Sequence, residues 1–188
     1  ISCAIVYLYE NRKRRVRMMK REKKIDNRGF SLVELIIVIA IMAVLIVALA
    51  PQYLKYVEKS RNSTDASNAA EMVAALQIYA ADPDIYAEDA FKEGKFTITT
   101  SGTGTRIEVI SGESQNKEAA IKAFEAAGFQ TTADGMETAC VSKTAWNTYT
   151  ITVEVQSGGK ISFTYGASGT ENSAKAFSNL MTGKSGGN

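Results

Sequence analysis

The feature that most restricts this chain is the stretch from Phe30 to Ala50, 21 residues interrupted only by Ser31 and Glu34, with Leu35 to Ala50 wholly apolar. At a rise of about 1.5 Å per residue it makes a helix about 30 Å long, the thickness of a bilayer's hydrocarbon core. Lipid offers no hydrogen bonds, so a lone segment crosses it only as a helix that satisfies its own backbone. Ten Lys/Arg between Arg12 and Arg28 precede it, against Glu10, Glu22 and Asp26. That excess places the N-terminus in the cytoplasm and the rest outside. The formal net charge of +2 therefore averages two opposite segments, +7 over residues 1–29 and −5 over residues 30–188.

A cleaved secretory signal competes with this reading, because Ala48-Leu49-Ala50 fits the small-residue cleavage pattern. The apolar run exceeds the usual h-region of about 7–15 residues, however, and Pro51 would follow the cut. An uncleaved span fits better.

Beyond Pro51 the pattern turns amphipathic, with Ala69, Met72, Val73, Leu76, Tyr79 and Ala80 at three- and four-residue spacing. Neither Gly nor Pro occurs between Gln52 and Asp82. One helix is predicted from about Phe30 to Ala81, on the order of 75 Å long, ended by Asp82-Pro83. Tyr149, Ile151, Val153 and Val155 alternate with polar residues, as do Ile161, Phe163 and Tyr165 after Ser157-Gly158-Gly159, which predicts a hairpin. Phe96–Thr100 and Arg106–Ile110 suggest a second hairpin. Between the hairpins a short helix is expected, with Asn116 as N-cap, Ile121 and Phe124 buried and Gly128 as C-cap. The tail from Gly166 is polar and Gly/Ser-rich; a helical turn or two around Ala174–Met181 within a loosely ordered segment is expected. The fold class is α+β, a long N-terminal helix, transmembrane then amphipathic, packed on a small antiparallel sheet.

Five regions result. Residues 1–17 form an upstream extension, and 18–29 a basic leader. Residues 30–51 are the membrane half of the helix and 52–81 its amphipathic half. Residues 82–188 are an external β-rich head with a flexible tail. The sequence opens on Ile1, not Met, and residues 1–9 are too short an apolar run to span a bilayer. Initiation at Met18 or Met19 would leave a leader of 12 or 11 residues ending at Gly29; otherwise residues 1–17 are a cytoplasmic tail.

Glu34 is the chemically informative residue. A carboxylate inside a spanning segment costs roughly 2.5–3.5 kcal/mol at mid-membrane and less near the edge, so it calls for a partner. No Lys or Arg occurs between Phe30 and Lys55. Cutting the chain between Gly29 and Phe30 would create an α-amino group, with a reference pKa near 8, four residues from Glu34.

These elements together resemble the type IV pilin and type II secretion pseudopilin family: a basic leader ending in Gly29, then Phe30, a gap to Glu34, and a long apolar helix carrying Pro51 with Tyr53 and Tyr56 beyond it. The resemblance covers about residues 18–61. It implies cleavage after Gly29 by a membrane aspartyl prepilin peptidase, N-methylation of Phe30, and a Phe30–Glu34 charge pair between subunits that sets register during assembly. The alternatives for Glu34 are a partner within its own chain or a role in processing only. Pro51 implies a helix kink or local melting, or simply a bend at the membrane exit; Tyr53 and Tyr56 are expected at the interface. Implied partners are other copies of the chain and minor pilins, the peptidase, and an inner-membrane assembly platform with its ATPase. The precursor is expected in the cytoplasmic membrane and the mature chain in an extracellular filament.

Three functions follow. The first is a structural pilin for adhesion, motility or DNA uptake, the second a pseudopilin of a secretion or competence system, and the third a singly anchored binding domain or enzyme. The chain has no histidine, which excludes Ser-His-Asp and Cys-His catalysis and His-ligated metals. No enzymatic activity and no cofactor are expected. Glu171 and Asn172 supply too few oxygen ligands for a calcium loop. A charge of −5 disfavours direct nucleic-acid binding by the part after the leader. Cys3 and Cys140 lie on opposite sides of the span, so no internal disulfide is expected and Cys140 reads as a small buried residue.

Overall fold

The computed structural model describes residues 30–184. The extension 1–17, the leader 18–29 with Gly29, Cys3, and the last four residues of the expected tail lie outside the described residues. The chain divides at Ala48/Leu49 into two compact units.

In the first unit, residues 30–48 are exposed throughout, and from Leu32 onward they form the start of helix α1 (Leu32–Ala81). Among the described residues this is the one helix long and apolar enough to cross a membrane by length and composition. Large apolar side chains with no protein neighbour are costly in water and at home in lipid.

The second unit begins at Leu49. α1 ends at Ala81, as the Asp82-Pro83 pair predicts. Its buried residues are Asp65, Ala69, Met72, Val73, Ala75, Leu76 and Tyr79. Ala80, expected in the stripe, is exposed, and Ala75 is buried instead. Residues 65, 69, 72, 76 and 79 repeat every 3.5 residues, so the stripe drifts around a 3.6-residue helix and by the last turn has moved off Ala80.

Both predicted hairpins form: β1 (Gly94–Ser101) with β2 (Gly104–Gly112), and β5 (Thr148–Val155) with β6 (Ile161–Ala167). β1 also pairs along its whole length with β5, which fuses the hairpins into one sheet. The short strands β3 (Thr131–Thr132) and β4 (Gly135–Met136) extend it, giving an antiparallel order β3-β4-β2-β1-β5-β6. Phe96, Ile98, Ile107, Tyr149, Ile151 and Val153 turn inward, at most 2% exposed, and join the α1 stripe in one core. Thr97, Thr99, Thr150 and Thr152 form the opposite, polar face, as period-two alternation requires. At the open end of the β1–β2 hairpin Gly94 faces Gly112, and a Cβ on either would strike the opposing backbone.

Helix α2 (Gln115–Ala126) lies between the hairpins. The N-cap expected at Asn116 is corrected to Ser114. Asn116 is buried, and its amide brackets the strand leading into β1: Oδ1 accepts from Lys92 N–H at 2.8 Å and Nδ2 donates to Lys92 O at 3.0 Å. The C-cap is Ala127 rather than Gly128, which follows at φ +87°, a left-handed position that glycine takes without strain. Phe124 is fully buried and Ile121 partly so.

The loosely ordered tail is also corrected. Residues 161–167 are strand, and helix α3 (Glu171–Thr182) follows, capped by the Thr170 hydroxyl and ended by Gly183 in the left-handed conformation. Phe177 fixes it: fully buried, it stacks on Tyr149 with ring centroids 4.9 Å apart and meets Trp146 edge-on at 5.3 Å. Thr170 and Gly183 mark this helix in the sequence, but composition alone hides the single aromatic anchor.

Candidate functional site

The residues predicted to carry assembly fall at the start and in the middle of α1. Phe30 is 92% exposed. Ser31 caps the helix: its hydroxyl accepts from Val33 N–H at 3.3 Å, and Glu34 Oε2 accepts from Ser31 N–H at 2.9 Å. A Ser followed three residues later by Glu is a capping box, which satisfies donors that a helix start leaves orphaned. Glu34 thus has a local partner while Phe30 is still joined to Gly29 by a neutral amide. The Ser31-x-x-Glu34 signal was present in the sequence ahead of the apolar run.

Helical backbone continues through Pro51, whose ring denies Val47 O its usual donor. Tyr53 and Tyr56 are exposed, at 66% and 71%.

Two acids missed by the sequence reading organise the second unit. Asp65 is fully buried. Its Oδ2 accepts from Ser142 N–H at 3.0 Å, Trp146 Nε1–H at 3.0 Å and the Cys140 thiol at 3.2 Å, and its Oδ1 accepts from Val141 N–H at 2.8 Å. Two turns earlier, Glu58 Oε1 accepts from the Ser142 hydroxyl and from Lys143 and Thr144 N–H, each at 2.7 Å, and from Ala145 N–H at 3.3 Å. Successive backbone N–H groups converging on one oxygen form an anion-binding nest, here filled by the protein's own carboxylate. Burial works to raise the Glu58 pKa, but the donors from Thr144, Ser142, Lys143 and Ala145 outweigh it and hold the carboxyl far below its usual range. Burial first, then the Asp65 carboxylate, push the Cys140 thiol up to about 12, which makes it a weak donor and not a nucleophile. Cys140 is free and buried. An acid on the apolar stripe four residues before Ala69 was the readable sign of Asp65; the 75-residue separation hid its partners.

No cluster of three or more metal-ligating side chains occurs among the described residues. The geometry is that of a lipid-compatible helix with a self-satisfied start and a head built to be rigid.

Comparison with known proteins agrees. Residues 25–50 match the family model described as the prokaryotic N-terminal methylation motif. Over 102 residues the chain is 29% identical to the type IV major pilin protein PilA of Myxococcus xanthus (strain DK1622), a match that covers 54% of this chain and 46% of that protein. The chain therefore spans about half the length of the curated relative it matches. No solved structure matches it significantly. The methylation motif and the similarity to a type IV major pilin together support a type IV pilin-like chain.

Proposed function

We propose that the chain is a prepilin, a structural subunit rather than an enzyme. A prepilin peptidase cuts it between Gly29 and Phe30, Phe30 is N-methylated, and the subunit polymerises through residues 30–51 into a surface filament. The observation that carries this reading is the exposure of every apolar side chain from Leu32 to Leu49 on a helix segment that lies within the motif match. Such a surface needs lipid before assembly and neighbouring helices after it. Moving from one apolar surrounding to another gives little drive or register, which a charge pair between Glu34 and a neighbour's new α-ammonium supplies. An inner-membrane platform with its ATPase extracts the subunit, minor pilins join it, and the precursor's N-terminus lies in the cytoplasm.

Mass spectrometry of the mature chain tests processing: an N-terminus at methylated Phe30 is expected, and an intact Gly29–Phe30 bond excludes it. Electron microscopy of sheared surface material, labelled with an antibody to the head, tests assembly. Long labelled filaments fit a pilin, label confined to the envelope fits a pseudopilin, and label on a monomeric membrane protein rejects both.

A further inference from the structure

Just beyond Pro51, α1 carries an open cleft whose wall includes Tyr53, Leu54, Lys55, Lys59 and Arg61, closed on one side by Ala145. Tyr53 and Leu54 are 66% and 65% exposed. Lys55 and Lys59, four residues apart on one helix face, form no ion pair among the described residues. The acid in the cleft, Glu58, is occupied by the loop behind it, with Arg61 at 3.5 Å from its outer oxygen. Asn62 Oδ1, also in the wall, is buried without a hydrogen-bond donor. The cleft is therefore cationic, partly apolar, and offers an acceptor.

At the other end of the amphipathic half lies its complement. The turn after α1 displays Asp82, Asp84 and Glu88 with Tyr86, which is 75% exposed. None of the three acids has an ion-pair partner among the described residues, whereas the adjacent Asp89 is paired with Lys122. The turn is held rigid: Gln115 Nε2 donates to Ala90 O at 2.8 Å, Tyr79 Oη to Asp89 O at 3.3 Å, and Asp82 Oδ1 accepts from Asp84 N–H at 2.9 Å. A preformed acidic surface loses little entropy when it docks.

Within one copy the two surfaces cannot meet, because some 25 residues of continuous helix hold them about 40 Å apart. Resting on the reading above, we propose that the acidic turn 82–88 of one subunit docks in the Lys55/Lys59/Arg61 cleft of another. The contact is heterologous, one surface on a different one, so it does not close on itself and repeats as an open, helical series. It gives the head domains a register of their own, which their apolar helices lack. The competing occupant is an anionic lipid headgroup, since basic residues beside a span attract such lipids.

Charge reversal of the full chain in cells tests this. Lys55→Glu with Lys59→Glu, and separately Asp84→Lys with Glu88→Lys, are each expected to lower sheared filament by about tenfold or more at unchanged membrane levels. Combining all four is expected to restore it. Failure of the combined chain to recover, or normal filament from either pair alone, overturns the proposal; loss that follows only the basic pair assigns the cleft to lipid. A second readout needs no filament. Lys59→Cys with Asp84→Cys, in a chain carrying Cys3→Ser, is expected to give a ladder of disulfide-linked multimers on oxidation in membranes, and monomers alone overturn the contact. If the ladder forms while the unaltered chain makes no filament, the contact stands and the filament reading falls.

Discussion

Glu58 and Asp65, seven residues and about two turns apart on α1, grip the same loop from both ends, Glu58 through Ser142–Ala145 and Asp65 through Cys140–Ser142 and Trp146. Neither meets a lysine or arginine as its main partner. Backbone donors take that place, so this carboxylate pair closes a segment of some 75 residues back onto the helix without an ion pair.

Removing the buried acid should be the more damaging change. Asp65→Ala orphans two backbone N–H groups, the Trp146 indole N–H and the Cys140 thiol, and a buried unsatisfied donor costs about 1–3 kcal/mol. With part of that recovered by water, a loss of about 3 kcal/mol and a fall in Tm of about 10 °C are expected. Thermal unfolding of the detergent-solubilised chain by near-UV circular dichroism measures it.

Acid should loosen the Glu58 end of the loop. Its folded pKa lies well below the unfolded value, so its contribution is complete above the ordinary carboxylate range and is lost progressively as pH falls through that range toward the folded pKa. Glu58→Gln keeps a neutral acceptor and should cost about 1–2 kcal/mol at pH 7. The difference between mutant and unaltered chain should shrink from pH 7 to pH 3 in urea midpoints; a constant difference rejects the assignment.

The Cys140 thiol should resist alkylation. With its pKa pushed up to about 12 and its sulfur buried, the thiolate is scarce at pH 8. In a Cys3→Ser chain, iodoacetamide should modify the folded protein about a hundredfold or more slower than the urea-unfolded one.

Phe177 should decide whether α3 is part of the head. Phe177→Ala removes the ring between Tyr149 and Trp146 and should cost about 3–5 kcal/mol. Limited proteolysis should then cut within 171–182 before the sheet; equal resistance in both chains contradicts this.

Glutamine at position 34 separates the helix cap made by Glu34 from its proposed charge pair. Glu34→Gln retains the capping bond to Ser31 N–H but not the charge, whereas Glu34→Ala loses both. Both variants should insert and be processed, and both should be missing from sheared filaments. Normal filaments from the Gln variant would sink the charge-pair role and leave the cap as the function of this residue.

Local rules made much of this chain legible. The apolar run 30–50, the Asp82-Pro83 stop and the two hairpins each depend on spacing within a few tens of residues, and all appear where periodicity predicts them. Asn116 and the tail were misread because Asn116 bonds to Lys92, 24 residues away, and Phe177 packs on Tyr149, while neither partner is implied by neighbours in sequence. The β1–β5 pairing and the loop held by Glu58 and Asp65 belong to the same class. Sequence by itself determined which segment suits a membrane, because lipid selects on length and composition alone. Only the tertiary structure decided which acids hold the head together, since a carboxylate's partners are set by where the chain returns, and backbone N–H groups carry no mark in the sequence.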